Sequence, residues 1–347
     1  MSKHRVSELV ATLALCATSF AVSAQQTTYR VTHVWTRQTE EPHTNDEFEI
    51  TGINDRGHLA GFRGPLGAFV WRNGTFENLG PPDSIISWAF GINDWSNVAG
   101  MYADTPDSAR GFLWRNGQFV PVAGQAGEQF VDAIHLNNRR EVLILSIHPQ
   151  NGARYFLWRR TGAIELQGLP GMGAGPVRIN DAGVVVGTAL GGGNSVPVIW
   201  QDGAITSIGL PDGATGGSGR DINDAGTVAL DVTTNAPGNA TYLWHEGVFT
   251  RLPALDGYAG TSAAAINNAA VVVGAATGPT VSDTAIVWTN GEVGDLNALV
   301  HPNDPLKPFL ILRRALHIND RGEIVVRGID TRNEPSTVSH YLLTPRY

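Results

Sequence analysis

Beyond residue 24 this chain has no cysteine, because the single one, Cys16, lies in the first stretch. No disulfide can staple the fold and no thiolate can ligate a metal, so stability has to come from packing. Charge is also scarce: 16% of the 347 residues are charged, with 24 Lys and Arg against 32 Asp and Glu and a net charge of -8. Such an acidic balance, with its basic residues dispersed, offers no sequence-independent attraction for nucleic acid or anionic lipid, and neither is expected as a partner. After residue 24 no apolar run is long enough to span a bilayer, and no stretch keeps a helical period. Membrane insertion and an all-helical fold are both excluded by that reading.

Catalytic spacings are missing too. No His-Glu-x-x-His run, phosphate loop or dinucleotide fingerprint occurs, and the run Gly216-Gly217-Ser218-Gly219 has Arg220 where a nucleophile elbow needs its last glycine. No cofactor is expected.

What is present begins with an export address. Lys3 and Arg5 precede an apolar stretch over 9–22, and Val22-Ser23-Ala24 then reads as a cleavage site before Gln25. The expectation is a signal peptide over 1–24, a single mature domain over 25–347, and a secreted or periplasmic location. Leu15 stands where a lipoprotein signal needs a small residue before its cysteine, which argues against lipidation.

The phrase Ile-Asn-Asp-x-Gly recurs, in places degraded, with its asparagine at Asn54, Asn93, Asn137, Asn180, Asn223, Asn267 and Asn319, at intervals of 39 to 52 residues. A period in that range points to one supersecondary unit per repeat. Each copy continues with a β-rich run, then a second run ending in Trp71, Trp114, Trp158, Trp200, Trp244 or Trp288, with Leu343 in the seventh. A tight turn such as Asn73-Gly74 and a last short run complete the unit, since both central residues of such a turn take positive φ. We letter the four strands a to d. Strand a ends at Ile-Asn, b follows the turn, c ends at Trp and d follows the Asn-Gly turn.

The seventh copy stops after strand c, and the chain opens with a spare strand from Tyr29 to Trp35. Pairing the two predicts an all-β fold, a seven-bladed β-propeller of four-stranded antiparallel blades, closed by the N-terminal strand against the three C-terminal strands. The turns a to b and c to d should form a uniform face. The connections b to c and d to a, including the long segments 36–47, 102–110, 301–307 and 330–339, should form a variable one.

These residues resemble the HAF-repeat family of extracellular repeat proteins. The similarity covers the chain from the first strand onward, and is best at Gly52-Ile53-Asn54-Asp55-Arg56-Gly57 with Ala68-Phe69-Val70-Trp71, and over Ile179 to Gly187. The histidine of the family's name is replaced by Gly67, Arg110, Arg154, Val196, Ala240, Thr284 and Ser339, so the resemblance implies a fold and transfers no histidine chemistry.

The Asn-Asp-x-Gly turns bring about one carboxylate each, too few for calcium, and read as hairpins with a glycine bulge. No metal site is expected. The repeated tryptophans read as packing between blades, so that Trp158→Ala should destabilise the fold. Trp88, outside that pattern, is placed at the channel mouth on the variable face, where it is a candidate ligand contact. Two residues before each repeat asparagine stand Gly52, Gly91, His135, Arg178, Asp221, Ala265 and His317. Four are ionisable, and they read either as the lining of a wet pore or as a site.

The function expected is a non-catalytic binding or interaction module, a monomer, presenting its variable face to a protein or glycan ligand. The alternative is a hydrolase or lyase acting on an extracellular polymer at the channel, which requires His135, Arg178, Asp221 and His317 to converge within hydrogen-bond reach.

Overall fold

The computed structural model of the protein describes residues 27–36, 48–64, 67–81, 83–122, 130–150, 152–278, 282–332 and 337–346. The expected signal peptide, and positions 37–47 and 333–336 of two expected long loops, lie outside the described residues. Among those described, no helix is long and apolar enough to cross a membrane.

The first repeat shows how the sequence makes its unit. Its strands are Phe48–Ile53, Leu59–Arg63, Gly67–Arg72 and Thr75–Asn78. The third, flanked on both faces by neighbouring sheets, is buried from Gly67 to Trp71, while the fourth is short and exposed except for Phe76, which packs against the core. A short edge strand is one way a sheet avoids pairing with another chain. Asn73 at φ 47° and Gly74 at φ 89° join the two strands, the positive pair that a two-residue hairpin needs.

The fold is an all-β propeller, with one departure from the expected sheets. Five four-stranded antiparallel sheets stand separately, not seven, and the other eight strands form one sheet. There the meanders of the second and third repeats are joined where Phe130 opens strand a of the third beside Ala109 of the second, in a parallel bridge.

The closing sheet is the one the sequence implies. Strand Thr28–Thr36 pairs antiparallel with Thr337–Arg346, placing Val31 opposite Leu343, and Ile324–Asp330 and Leu310–Ile318 complete the sheet. A second latch explains why the last repeat interval is the longest. The connection before Leu310 carries a helical turn, Leu296–Leu299, and then runs beside the first strand. There His301 N donates to Tyr29 O at 2.8 Å and Val31 N donates to Asp304 Oδ2 at 2.8 Å.

Hydrophobic clusters lie between neighbouring sheets. Val34 and Leu342 of the closing sheet pack with Phe48, Leu59, Phe69 and Trp71 of the first repeat. Ala60 and Val70 pack with Val98, Phe112 and Trp114 of the second. Trp200 and Trp288 are each 1% exposed, and their indole N–H groups donate to Gln167 O (2.7 Å) and Pro253 O (2.8 Å) in the preceding repeat. Burying such a ring contributes roughly 4 to 6 kcal/mol as an upper bound.

Two expectations fail here. Trp158 does not pack like its counterparts and is 38% exposed. Segment 102–110 is a tight hairpin, in which Val98–Thr105 turns directly into Ser108–Arg115.

Strand a carries the same irregularity in all seven repeats. The register skips one residue, at Thr51, Phe90, Ile134, Val177, Arg220, Ala264 and Leu316, three before each repeat asparagine. A bulge leaves its extra residue unpaired and bends the strand, which re-aims side chains. Gly61, on strand b beside the first bulge, is required by sterics: a Cβ there would collide with the Glu49 carbonyl.

Candidate functional site

Each Asn-Asp turn is both a hairpin and a clip. Asn54 Oδ1 accepts from Arg56 N and His58 N at 3.0 Å, holding its own turn, while its Nδ2 donates to the Asn93 carbonyl of the next repeat at 2.9 Å. Asn93, Asn137, Asn180, Asn223 and Asn267 repeat that donation in turn, and Asn319 returns it to Asn54 O. The circle closes on itself with lengths of 2.9 to 3.2 Å, and these side chains are 2 to 5% exposed. Asparagine suits the position because one planar amide carries both an acceptor and a donor.

A second circle lies on the first. The backbone N–H of Asp55, Asp94, Asn138, Asp181, Asp224, Asn268 and Asp320 each donates to Oδ1 of the next member at 2.7 to 2.8 Å. Asn138 Nδ2 bridges the outer oxygens of Asp94 and Asp181, and Asn268 Nδ2 bridges those of Asp224 and Asp320. Asp55 has carboxylates on both sides and no such amide. Burial raises its pKa, and Asp94 and Asp320 add to the rise against the Asp320 backbone bond. Among the described residues no three His, Cys, Asp or Glu side chains group as a metal site.

Both circles wall the narrow end of the channel, a cavity of about 190 Å³ that His135, Arg178, Asp221 and His317 also line. The four candidates therefore face one space. They make no hydrogen bond to one another among the described residues, and three are committed elsewhere. Asp221 accepts from Ile222 N and from Ile266 N of the next repeat, both at 2.9 Å. His317 Nε2 donates to Ile50 O across the closing seam at 3.0 Å. Arg178 Nη1 donates to Val177 O at 3.1 Å, and His135 Nδ1 is buried without a partner among the described residues.

Burial dominates their protonation. It holds His317 down to about 4, helped by the Arg178 charge, and holds His135 well below the usual imidazole range, again with Arg178 and His317 acting in the same direction. Burial raises Asp221, opposed by Arg178 and by its two backbone donors.

Toward the other end the channel widens into a cavity of about 590 Å³. The bulge residues Thr51, Phe90, Ile134, Val177, Arg220, Ala264 and Leu316 collar this cavity at the bulge positions, seven side chains with little in common. Phe62, Phe90, Val177 and Leu316 give the wall an apolar part, Glu49, Arg178, Arg220 and Arg314 a charged one, and His317 adds an imidazole. Arg220 is held by Asp231, a 4% exposed carboxylate at 2.8 Å, and Arg314 by Asp283 at 2.7 Å. Arg178 and His317 line both cavities, so they sit where the channel narrows. Trp88 is half-buried and stands behind this wall: its ring lies 5.1 Å from Phe62 and 6.4 Å from Phe90.

Sequence reasoning placed His135, Arg178, Asp221 and His317 on the channel wall, where they line the narrow-end cavity, and gave the asparagines their turn role. It missed the lateral bonds, whose signal was the unvarying Asn followed by Asp or Asn. It also missed the collar, since a bulge cannot be read from alternation alone.

No known protein family matches the sequence, and no curated protein does. The fold does have solved counterparts. A catalytically inactive H270A virginiamycin B lyase from Staphylococcus aureus, solved with quinupristin, aligns with a TM-score of 0.50 at 11% identity, over 90% of this chain and 99% of that one. The β-propeller domain of the Trilobed protease from Pyrococcus furiosus, described as having an open velcro topology, aligns at 0.54 and 10% identity over 86% and 97%. An acylaminoacyl peptidase from Pyrococcus horikoshii aligns at 0.55 and 11% identity over 86% of this chain and 51% of that one. At such identities the likeness is one of fold.

Proposed function

We propose that the protein is an exported, monomeric, non-catalytic binding module, a propeller of seven blades that recognises a protein or glycan ligand at the wide end of its channel. Seven blades follow from counting the eight-stranded sheet as two, in keeping with seven turns in each ring. The repeat phrase supports placing the chain with the HAF-repeat proteins, and the basic, apolar and small-residue order of its first 24 residues supports export.

The observation that carries the reading is the contrast along the channel wall. The wide end gathers seven dissimilar side chains into one cavity, with apolar surface and a few placed charges, the usual make-up of a recognition site. The hydrolase or lyase alternative needs an acid and a base poised near neutrality and in mutual reach. Two buried imidazoles held low and a carboxylate tied to backbone N–H groups favour binding over it.

The test is a binding screen of the purified protein against immobilised glycans, peptides and cell-envelope polymers, repeated with Arg178→Gln. A ligand found at the wide end should lose about tenfold in affinity in the variant, with the melting temperature unchanged. Absence of binding across the screen, or hits that Arg178→Gln leaves untouched, would count against this site.

A further inference from the structure

The exposed tryptophan of the third repeat has surroundings unlike those of its counterparts. Trp71, Trp114, Trp200 and Trp288 are 1 to 9% exposed, and Trp114 is covered by the Arg72 guanidinium at 5.5 Å. Trp158 instead opens into a groove of about 210 Å³ between the second and third repeats, at the turn end. Leu136 and Val142 form part of its floor, and Arg115, Arg140 and Arg160 stand around it. A fourth arginine there, Arg139, is engaged with Glu141 and the Asp181 carbonyl. The other three are exposed and make no ion pair among the described residues.

Three uncommitted guanidinium groups around an exposed indole, in a chain of net charge -8, form a local reversal of sign. Guanidinium forks match carboxylate and sulfate oxygens, and an indole offers a flat apolar surface with one polar edge. The space is below that of a pocket for a drug-sized ligand and suits a single ring. We propose that this groove is a binding site for an acidic saccharide, with a sugar ring against Trp158 and its carboxylate or sulfate among Arg115, Arg140 and Arg160. The site is independent of the channel.

The experiment titrates the full chain with an oligogalacturonate, a heparin oligosaccharide and a neutral malto-oligosaccharide, following tryptophan fluorescence and heat. Trp158→Phe serves as the optical reference. An Arg140→Asn, Arg160→Gln double variant tests the charges, Asn being chosen because residue 140 has φ 63°. At least one acidic oligomer should bind, its fluorescence response should vanish in Trp158→Phe, and the double variant should bind about tenfold more weakly at an unchanged melting temperature. Which acidic oligomer binds separates carboxylate from sulfate recognition. If the double variant does not fold, Arg115→Gln takes its place. Failure of both acidic oligomers to bind overturns the proposal. So do equal affinity for the neutral oligomer, or binding indifferent to the arginines.

Discussion

At its narrow end the channel receives the same pair of side chains from every repeat, an asparagine and then an aspartate or asparagine, each bonded to its neighbour at nearly constant length. At its wide end, a few residues earlier on the same strands, it receives threonine, phenylalanine, isoleucine, valine, arginine, alanine and leucine. The difference shows which demands are shared. Closing a ring asks the same geometry of each member, because one misfit has to be absorbed by all the others. A lining that closes nothing is free to differ from repeat to repeat, and there specificity can reside.

The comparison is broken most directly at Asn180. Asn180→Leu removes the lateral bond to the Asn223 carbonyl, which keeps only the turn bond from Gly226 N, and leaves the half-buried Val184 N–H without its partner, and should cost about 2 kcal/mol of unfolding free energy in urea titrations. Val177→Thr, three residues earlier at the collar, should cost under about 1 kcal/mol. Equal losses would mean that the ring has no special part in holding the repeats together.

Acid sharpens it next. His135 and His317 have folded-state pKa values below their ordinary 6.5, so the unfolded chain takes up the extra protons. Their contribution is fully present above pH 6.5 and is lost as pH falls toward 4, the value that holds for His317. Asp55 and Asp221, both raised, act with the opposite sign, but they are shared by wild type and variant and cancel in the comparison. His317→Gln, which can still donate to the Ile50 carbonyl, should lose less stability than wild type between pH 6.5 and 4, by on the order of 1 kcal/mol. Parallel urea curves would show the imidazole to be well hydrated.

The smallest effect lies within the narrow end itself. Asp55→Asn should convert an arc of three carboxylates into the arrangement already present at Asn138, bridging Asp320 and Asp94. It should gain about 0.5 kcal/mol at pH 7 after allowing for screening by water and salt. The gain should disappear at pH 3, where Asp55 is protonated and no longer repelled. Asn138→Asp should show the reverse.

The sequence disclosed this architecture where a residue type was forced and hid it where geometry decided. Asn-Gly turns, the repeated Ile-Asn-Asp-x-Gly and the spare strand from Tyr29 to Trp35 can each be satisfied in few ways, and together they led to the propeller and its closing sheet. The bulge at Thr51 and its counterparts left no such mark, because its residue is as often apolar as polar. The parallel bridge between Phe130 and Ala109, which turns two meanders into one sheet, is a matter of local approach that no pattern encodes. Trp158 misled for another reason. Its place in the repeat predicts packing, and its exposure depends on what the preceding repeat puts over it. Of the four ring candidates, identity and layer were legible, whereas the ties of Asp221 to Ile266 and of His317 to Ile50 depend on neighbours far away in sequence.

The pairing of Thr28–Thr36 with Thr337–Arg346 also imposes a timetable. The earlier of these two strands waits through all the repeats between them for the later one, and until then the edge they share is unpaired. Earlier repeats can stack as they appear, but the circle of asparagines cannot finish while Asn54 lacks Asn319. The propeller therefore stays an open arc until its seventh repeat is in place, and becomes a rigid ring in one late step.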